Sequence, residues 1–95
     1  MYVVVRHYRA SPALIDELVK LRDEVQATIE SVPGFVAYYL VRTADGGASI
    51  SIFEDKEGTD ETSRRAAAFI GEKLPEIAAS APELIEGEAV IQFTS

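Results

Sequence analysis

A small set of side chains in this sequence could share one chemistry. Arg6, Tyr8, Tyr38, Ser49, Ser51, Phe53 and Gln92 are the types that line a pocket for a small hydrophobic, oxygen-bearing ligand. Tyr and Ser hydroxyls donate and accept, and Gln adds an amide. Arg can hold a carboxylate or a phenolate through charge-assisted hydrogen bonds. The alternative is packing against a second copy of the chain, with Arg6 paired to an acidic residue across that contact. No residue in the set is singled out as catalytic.

The other chemistry-bearing residues are weaker candidates. His7 is the single histidine, the one side chain whose ordinary pKa suits base work near neutrality. It alternates with Val3 and Val5, which places it on the helix side of a strand, near the strand end. Glu54, Glu86 and Glu88 fall near strand ends as solvated rims or Arg partners. The chain has no Cys, which removes disulfides, thiolate catalysis and thiolate metal sites. One histidine cannot build a multi-His metal site within one chain. No metal and no cofactor is expected.

These residues must be positioned by a sheet. Phe35 to Thr43 and Ile50 to Phe53 are rich in aromatic and β-branched residues, with Ala44-Asp45-Gly46-Gly47 between them. Asp-Gly is a hairpin signal, because both central positions of a type I′ turn need positive φ. With Asp45 and Gly46 as the turn, Arg42 opposes Ser49. One face then carries Phe35, Ala37, Tyr39, Val41, Ala48, Ile50 and Ile52. The other carries Val36, Tyr38, Leu40, Arg42, Ser49, Ser51 and Phe53. The first face is the more apolar and is expected under the helices. The second is expected to stay open within one chain. A one-residue bulge would invert the sorting locally.

The remaining elements flank this hairpin. Tyr2 to Arg9 has valines on both sides and predicts a central strand. Ser11-Pro12 opens a first helix as N-cap and N1. Its stripe is Leu14, Leu18, Leu21, Val25 and Ile29, and Asp16 precedes Lys20 by one turn as an ion pair. Val32-Pro33-Gly34 ends it. Thr59 or Asp60 caps a second helix, with Ala66, Phe69, Ile70 and Leu74 inward and the pairs Asp60–Arg64 and Glu61–Arg65 outward. Pro75 stops it near Lys73, leaving a loose turn to Ser80. Glu88 to Thr94 is the fourth strand. The order β-α-β-β-α-β predicts an α+β, ferredoxin-like domain spanning residues 1–95, with a four-stranded antiparallel sheet and two helices on one face. The bare face predicts a homodimer about a twofold axis.

Net charge is −7 with no basic run. That balance argues against nucleic acid and against anionic membrane surfaces. No segment approaches the length of a membrane span, and the apolar run in the first residues is too short for a signal peptide. A cytoplasmic protein is expected.

The element order, the Val32-Pro33-Gly34-Phe35 junction and the Ser49-Ile50-Ser51-Ile52-Phe53-Glu54-Asp55 strand resemble the dimeric α/β-barrel superfamily. Within it, they are similar to antibiotic biosynthesis monooxygenase-like domains. The resemblance covers nearly the whole chain. It implies a dimeric α/β barrel; a cofactor-independent, monooxygenase-like activity on a small aromatic or hydrophobic substrate is the first of two functional hypotheses it motivates. The alternative is a small-molecule-binding or structural dimeric module without catalysis. Haem-degrading members rely on Asn, His and Trp, and quinone-forming members on Asn, Tyr and Trp. This chain has neither Asn nor Trp, so those residues do not carry over, and haem degradation is not expected.

Overall fold

The computed structural model describes residues 1–9, 12–77 and 81–95. The elements are β1 (Tyr2–Arg9), α1 (Pro12–Lys20), α2 (Arg22–Glu30), β2 (Phe35–Thr43), β3 (Gly46–Phe53), α3 (Lys56–Lys73) and β4 (Glu83–Glu88). The strands form one sheet in the order β2-β3-β1-β4, with every pair antiparallel. The helices cover one side of it, which is the ferredoxin-like arrangement. Ser11, the expected first cap, and Ser80, the expected end of the turn, lie outside the described residues.

The hairpin is present, and its loop is Ala44-Asp45 rather than Asp45-Gly46. Thr43 pairs with Gly46, and Arg42 pairs with Gly47 rather than Ser49. The Thr43 hydroxyl donates to Asp45 Oδ1 at 2.7 Å and braces the loop. The register moves by two residues, so every side chain keeps its face. A bulge does interrupt the parity, at Val36. Phe35 pairs with Phe53, while Ala37 pairs with Ile52. Phe35 therefore shares the side of Phe53, contrary to simple alternation. Their rings meet edge-on with centroids 5.8 Å apart.

From Ala37 to Phe53 the two faces sort as expected, but they are assigned to the wrong layers. Val4, Arg6, Tyr8, Ser49, Ser51 and Phe53 are buried, and this is the side that meets the helices. α1 brings Leu14 and Leu18 against Tyr8. A Cβ on Gly47 would run into the Ile15 side chain and come within 2.9 Å of the Val41 carbonyl oxygen. Glycine there lets α1 lie flush on β3. α3 approaches through Gly58, where a Cβ would come within 2.6 Å of the Phe53 ring. The apolar row of Tyr39, Val41, Ala48, Ile50 and Ile52 faces away from all three helices, joined by Val3, Val5 and Ile85. Tyr39 is 57% exposed and Ile85 70%. His7 lies on that outer side too, not on the helix side.

The physical reason is that apolarity alone does not choose the layer. Buried polar groups are tolerated where they bond to one another. The mixed face does that under the helices. The apolar face is left uncovered by the described residues.

Three element boundaries also differ from expectation. The first helical stretch bends at Leu21, whose φ of −96° and ψ of 24° divide α1 from α2. The hydrogen bonds Leu21 N–H to Glu17 O and Val25 N–H to Leu21 O persist across the bend, so the apolar stripe continues. Asp55, not Thr59 or Asp60, caps α3, accepting from the Gly58 N–H at 3.0 Å. Thr59 instead donates to the Lys56 carbonyl. Of the expected ion pairs, Glu61–Arg65 forms at 2.8 Å, while Asp60 takes Lys56 and Asp16 takes Arg42. α3 ends at Lys73, as Pro75 requires. The fourth strand is Glu83–Glu88 rather than Glu88–Thr94. β1 begins at Tyr2, which pairs with Glu88, and the Ala89 N–H adds one last bond to the Met1 carbonyl at 2.9 Å, so no β1 backbone remains for the rest of the β-favouring run. Val90, Ile91 and Phe93 are left exposed. No helix among the described residues is long and apolar enough to cross a membrane.

Candidate functional site

Arg6 anchors the site. It sits at the middle of β1, between β3 and β4, and is 2% exposed. Such a guanidinium is costly to bury without partners. Its Nη1 donates to Ser49 Oγ and Ser51 Oγ, both at 3.1 Å, and its Nη2 donates to Ser63 Oγ at 3.0 Å. Two of these serines come from β3 and one from α3, so the cation ties the sheet to its helical cover. All three partners are neutral. Its Nε finds no acceptor among the described residues, and no carboxylate among them lies within ion-pair distance. Burial pulls the guanidinium pKa below its ordinary value, opposed by Tyr8, Tyr38 and Glu86.

A cavity of about 30 Å³ lies beside Arg6 between sheet and helices. Arg6, Tyr8, Tyr38 and Ser49 form its sheet side. Leu18 of α1, Val25, Thr28 and Ile29 of α2, and Ala66, Phe69 and Ile70 of α3 form the other. Burial raises the Tyr8 pKa, against the pull of Arg6 and Ser49. Burial also pushes Tyr38 up to about 12, with Tyr8 adding to the shift and Arg6 opposing it. Both phenols therefore keep their protons and act as hydrogen-bond donors, not bases. Two larger clefts adjoin this cavity. One of about 260 Å³ shares Leu18, Val25 and Tyr38 with it. The other, of about 240 Å³, shares Ile29 and Tyr38 and extends to Phe35. Tyr38 borders all three spaces.

The sequence-derived set is thus partly assembled. Arg6, Tyr8, Tyr38 and Ser49 come together. Ser51 is fully buried and joins the group through Arg6. Phe53 is equally buried but does not line the cavity; it packs behind it with Ile29 and Val32. Gln92 is exposed beyond β4 and takes no part. The pocket was expected on the helix-free face and lies on the helix side. His7 is outside it, with Nε2 3.1 Å from Asp45 Oδ1. Sequence reasoning missed Ser63, which contacts Arg6, and Thr62, whose buried Oγ1 has no partner among the described residues. The available signal was position: Thr59, Thr62, Ser63 and Ala66 continue inward the stripe of Phe69 and Ile70.

The raised phenol makes a testable demand on stability. Between pH 10 and about 12 the unfolded chain releases the Tyr38 proton and the folded chain retains it. The unfolded state then binds fewer protons, so stability falls as pH rises through that window. The loss is at most about 3 kcal/mol, by the two-unit shift. Tyr8 acts in the same sense, and Arg6, with its lowered pKa, opposes it at the top of the range. Denaturant titrations at pH 9 and pH 11.5 should show the loss, and Tyr38→Phe should reduce it. An unchanged alkaline slope in that variant would contradict the burial of this phenol.

An antiparallel sheet roofed by helices on one side, with a small cavity between the layers, defines a ferredoxin-like domain. The antibiotic biosynthesis monooxygenase family matches residues 1–67, and the chain belongs to that family. Solved structures share the fold. The haem-degrader MhuD from Mycobacterium tuberculosis, with two haems bound in its active site, superposes with a TM-score of 0.71 at 20% identity, over 99% of this chain and 100% of that one. A monooxygenase from the gene ActVA-Orf6 of Streptomyces coelicolor, in complex with Nanaomycin D, gives 0.64 at 22% identity, over 99% and 90%. The NE2512 protein of unknown function from Nitrosomonas europaea gives 0.71 at 16% identity, over 99% and 92%. At these identities the likeness is one of fold. No curated protein matches the sequence.

Proposed function

We propose that this chain is a cofactor-independent, monooxygenase-like enzyme for a small aromatic substrate held between the sheet and α2. The observation that carries the reading is the buried Arg6 cation beside two protonated tyrosines, in a cavity whose other polar lining is Ser49 and Thr28 and whose remainder is apolar. Such a site excludes water and stabilises negative charge developing on a substrate oxygen. The family match and the Nanaomycin D-bound monooxygenase support the same direction.

The reaction is written for a phenol with a free para carbon. Dioxygen adds at that carbon, one oxygen atom remains as the new carbonyl, and the other leaves as water. The ring hydrogen and the phenolic hydrogen supply the two hydrogens of that water. The substrate supplies the electrons, so no other reductant is needed. Arg6 and the two tyrosine hydroxyls hold the substrate oxygen, while Val25, Phe69 and Ile70 exclude water.

The haem named for MhuD does not fit these residues. The chain's only imidazole, His7, lies on the opposite face of the sheet and is bonded to Asp45.

A second reading, binding without turnover, is favoured by the lack of a base on the cavity wall. The two are separated by oxygen uptake with a panel of electron-rich phenols and anthrones. We expect uptake matched to quinone formation, and at least a tenfold loss in Tyr38→Phe. A substrate that is retained and recovered unchanged would leave only the binding module.

Two copies are proposed to associate through the outer apolar face of Val3, Val5, Tyr39, Val41, Ile50 and Ile52. An apolar surface this continuous is seldom left in water. A Cys-free chain has no need of an oxidising compartment, which supports a cytoplasmic setting.

A further inference from the structure

We infer that Arg22 selects the substrate, by holding a carboxylate that the aromatic ring carries on a short side chain. The inference rests on reading the cavity beside Arg6 as the place where the substrate oxygen binds, and it adds a second point of recognition at the outer lip. The chain has 16 Asp and Glu against 9 Lys and Arg, so a cation left without a carboxylate stands out. Seven of the nine, Arg9, Arg42 and Lys73 among them, each meet one. The two that meet none among the described residues are Arg6 and Arg22. Arg6 lines the cavity, and Arg22 lines both of the clefts that adjoin it.

Their positions let the two arginines serve one molecule. Leu18, Arg22 and Val25 recur at four- and three-residue spacing, which is one face of a helix. The bonds Leu21 N–H to Glu17 O and Val25 N–H to Leu21 O carry that face across the bend. Leu18 and Val25 line both the inner cavity and the larger cleft. Arg22 stands between them in sequence and is exposed. Space of about 30 Å³ beside Arg6 takes little more than one oxygen. The ring then lies in the cleft of about 260 Å³, past Tyr38. Leu18, Val19, Val25 and Leu40 offer it apolar surface there, and the Arg22 guanidinium is the single charge in the lining.

The acidic neighbours favour the same cleft. Glu30 lines the smaller cleft of about 240 Å³ and would repel a carboxylate there; it accepts from Gln26 Nε2 at 3.2 Å. Glu24 is taken by Lys73. Asp23 follows Arg22 directly, and adjacent helix positions do not face each other. A planar guanidinium matches a carboxylate with two parallel N–H donors. The ligand class is therefore a hydroxyaryl carboxylic acid.

Calorimetric titration with 3-(3-hydroxyphenyl)propanoate and its primary amide tests this. Both present the same phenol with its para carbon free, and they differ in charge at the chain end. The acid should bind the unsubstituted chain about fivefold more tightly, the upper range for an exposed ion pair. It should do so although a net charge of −7 repels anions in general. Added sodium chloride should shrink the difference. Arg22→Gln should lower the acid's affinity to that of the amide and leave the amide's unchanged, with the same circular dichroism. Equal affinities in the unsubstituted chain overturn the inference, as does an acid preference that survives in Arg22→Gln. Oxygen uptake is read separately on both probes. Uptake with equal affinities removes the role of Arg22 and keeps the oxygenase; an acid preference that Arg22→Gln abolishes, without uptake, does the reverse. Failure of both probes to bind removes this inference together with the cavity reading.

Discussion

Phe53→Ala should cost this chain about 3–5 kcal/mol of folding stability, the range for emptying a fully buried aromatic site. Phe53 has no exposed surface. It joins Ile29 of α2, Val32 after α2, and Phe35 at the start of β2. α3 lies so close to it that only a glycine fits at position 58. Truncation therefore removes a contact that the sheet and two helices share, and Gly58 has no side chain to fill the gap. A domain of this size has roughly 5–14 kcal/mol to lose. The urea midpoint should fall sharply while the slope stays constant. Val36→Ala, in the exposed bulge, should change the stability by less than about 0.5 kcal/mol and leave the midpoint nearly unmoved. Similar small shifts for both would mean that Phe53 is not central to the packing.

The second large effect concerns assembly. Ile50→Lys places a charge in the middle of the outer apolar face, opposite Val5 on one side and Tyr39 on the other. A single chain tolerates it, because the side chain can reach water. A twofold dimer meets the substitution twice and must bury two like charges at its centre. Self-association should weaken by at least about a thousandfold, on the several kcal/mol that each unpaired buried ion costs. Light scattering at micromolar concentration should show a dimer for the unsubstituted chain and a monomer for the variant, with the same circular dichroism. A monomeric unsubstituted chain at tens of micromolar would end the proposal that this face is an interface.

The pairing of side chains onto faces was legible in the sequence from Ala37 onward, because period-two strands keep that sorting for any loop register shifted by an even number of residues. The two-residue shift at Ala44-Asp45 left it intact. Which face the helices cover was not legible. Hydropathy ranks Ile50 and Ile52 above Ser49 and Ser51, and the ranking points the wrong way. The missing information was that Ser49, Ser51 and Ser63 converge on Arg6. That contact joins residues 43 to 57 positions apart, so no local pattern announces it. Gln92 was lost for a related reason. A β-favouring run is a strand only where a neighbouring strand remains to pair with it. The pocket residues Arg6, Tyr8, Tyr38 and Ser49 survived because they shared a face, and the face held even when its layer changed.

The doubled residue at Val36 has a consequence for length changes in β2. Everything from Ala37 onward keeps step with β3, and Phe35 faces Phe53 only because one extra unit lies between it and Ala37. Deleting that unit would leave two outcomes. Either Phe35 stays beside Phe53 and the Val32-Pro33-Gly34 connection is drawn taut, or the connection keeps its path and the ring swings to the outer surface. An insertion or deletion farther along the strand has no such slack and would carry Tyr38 out of the cleft.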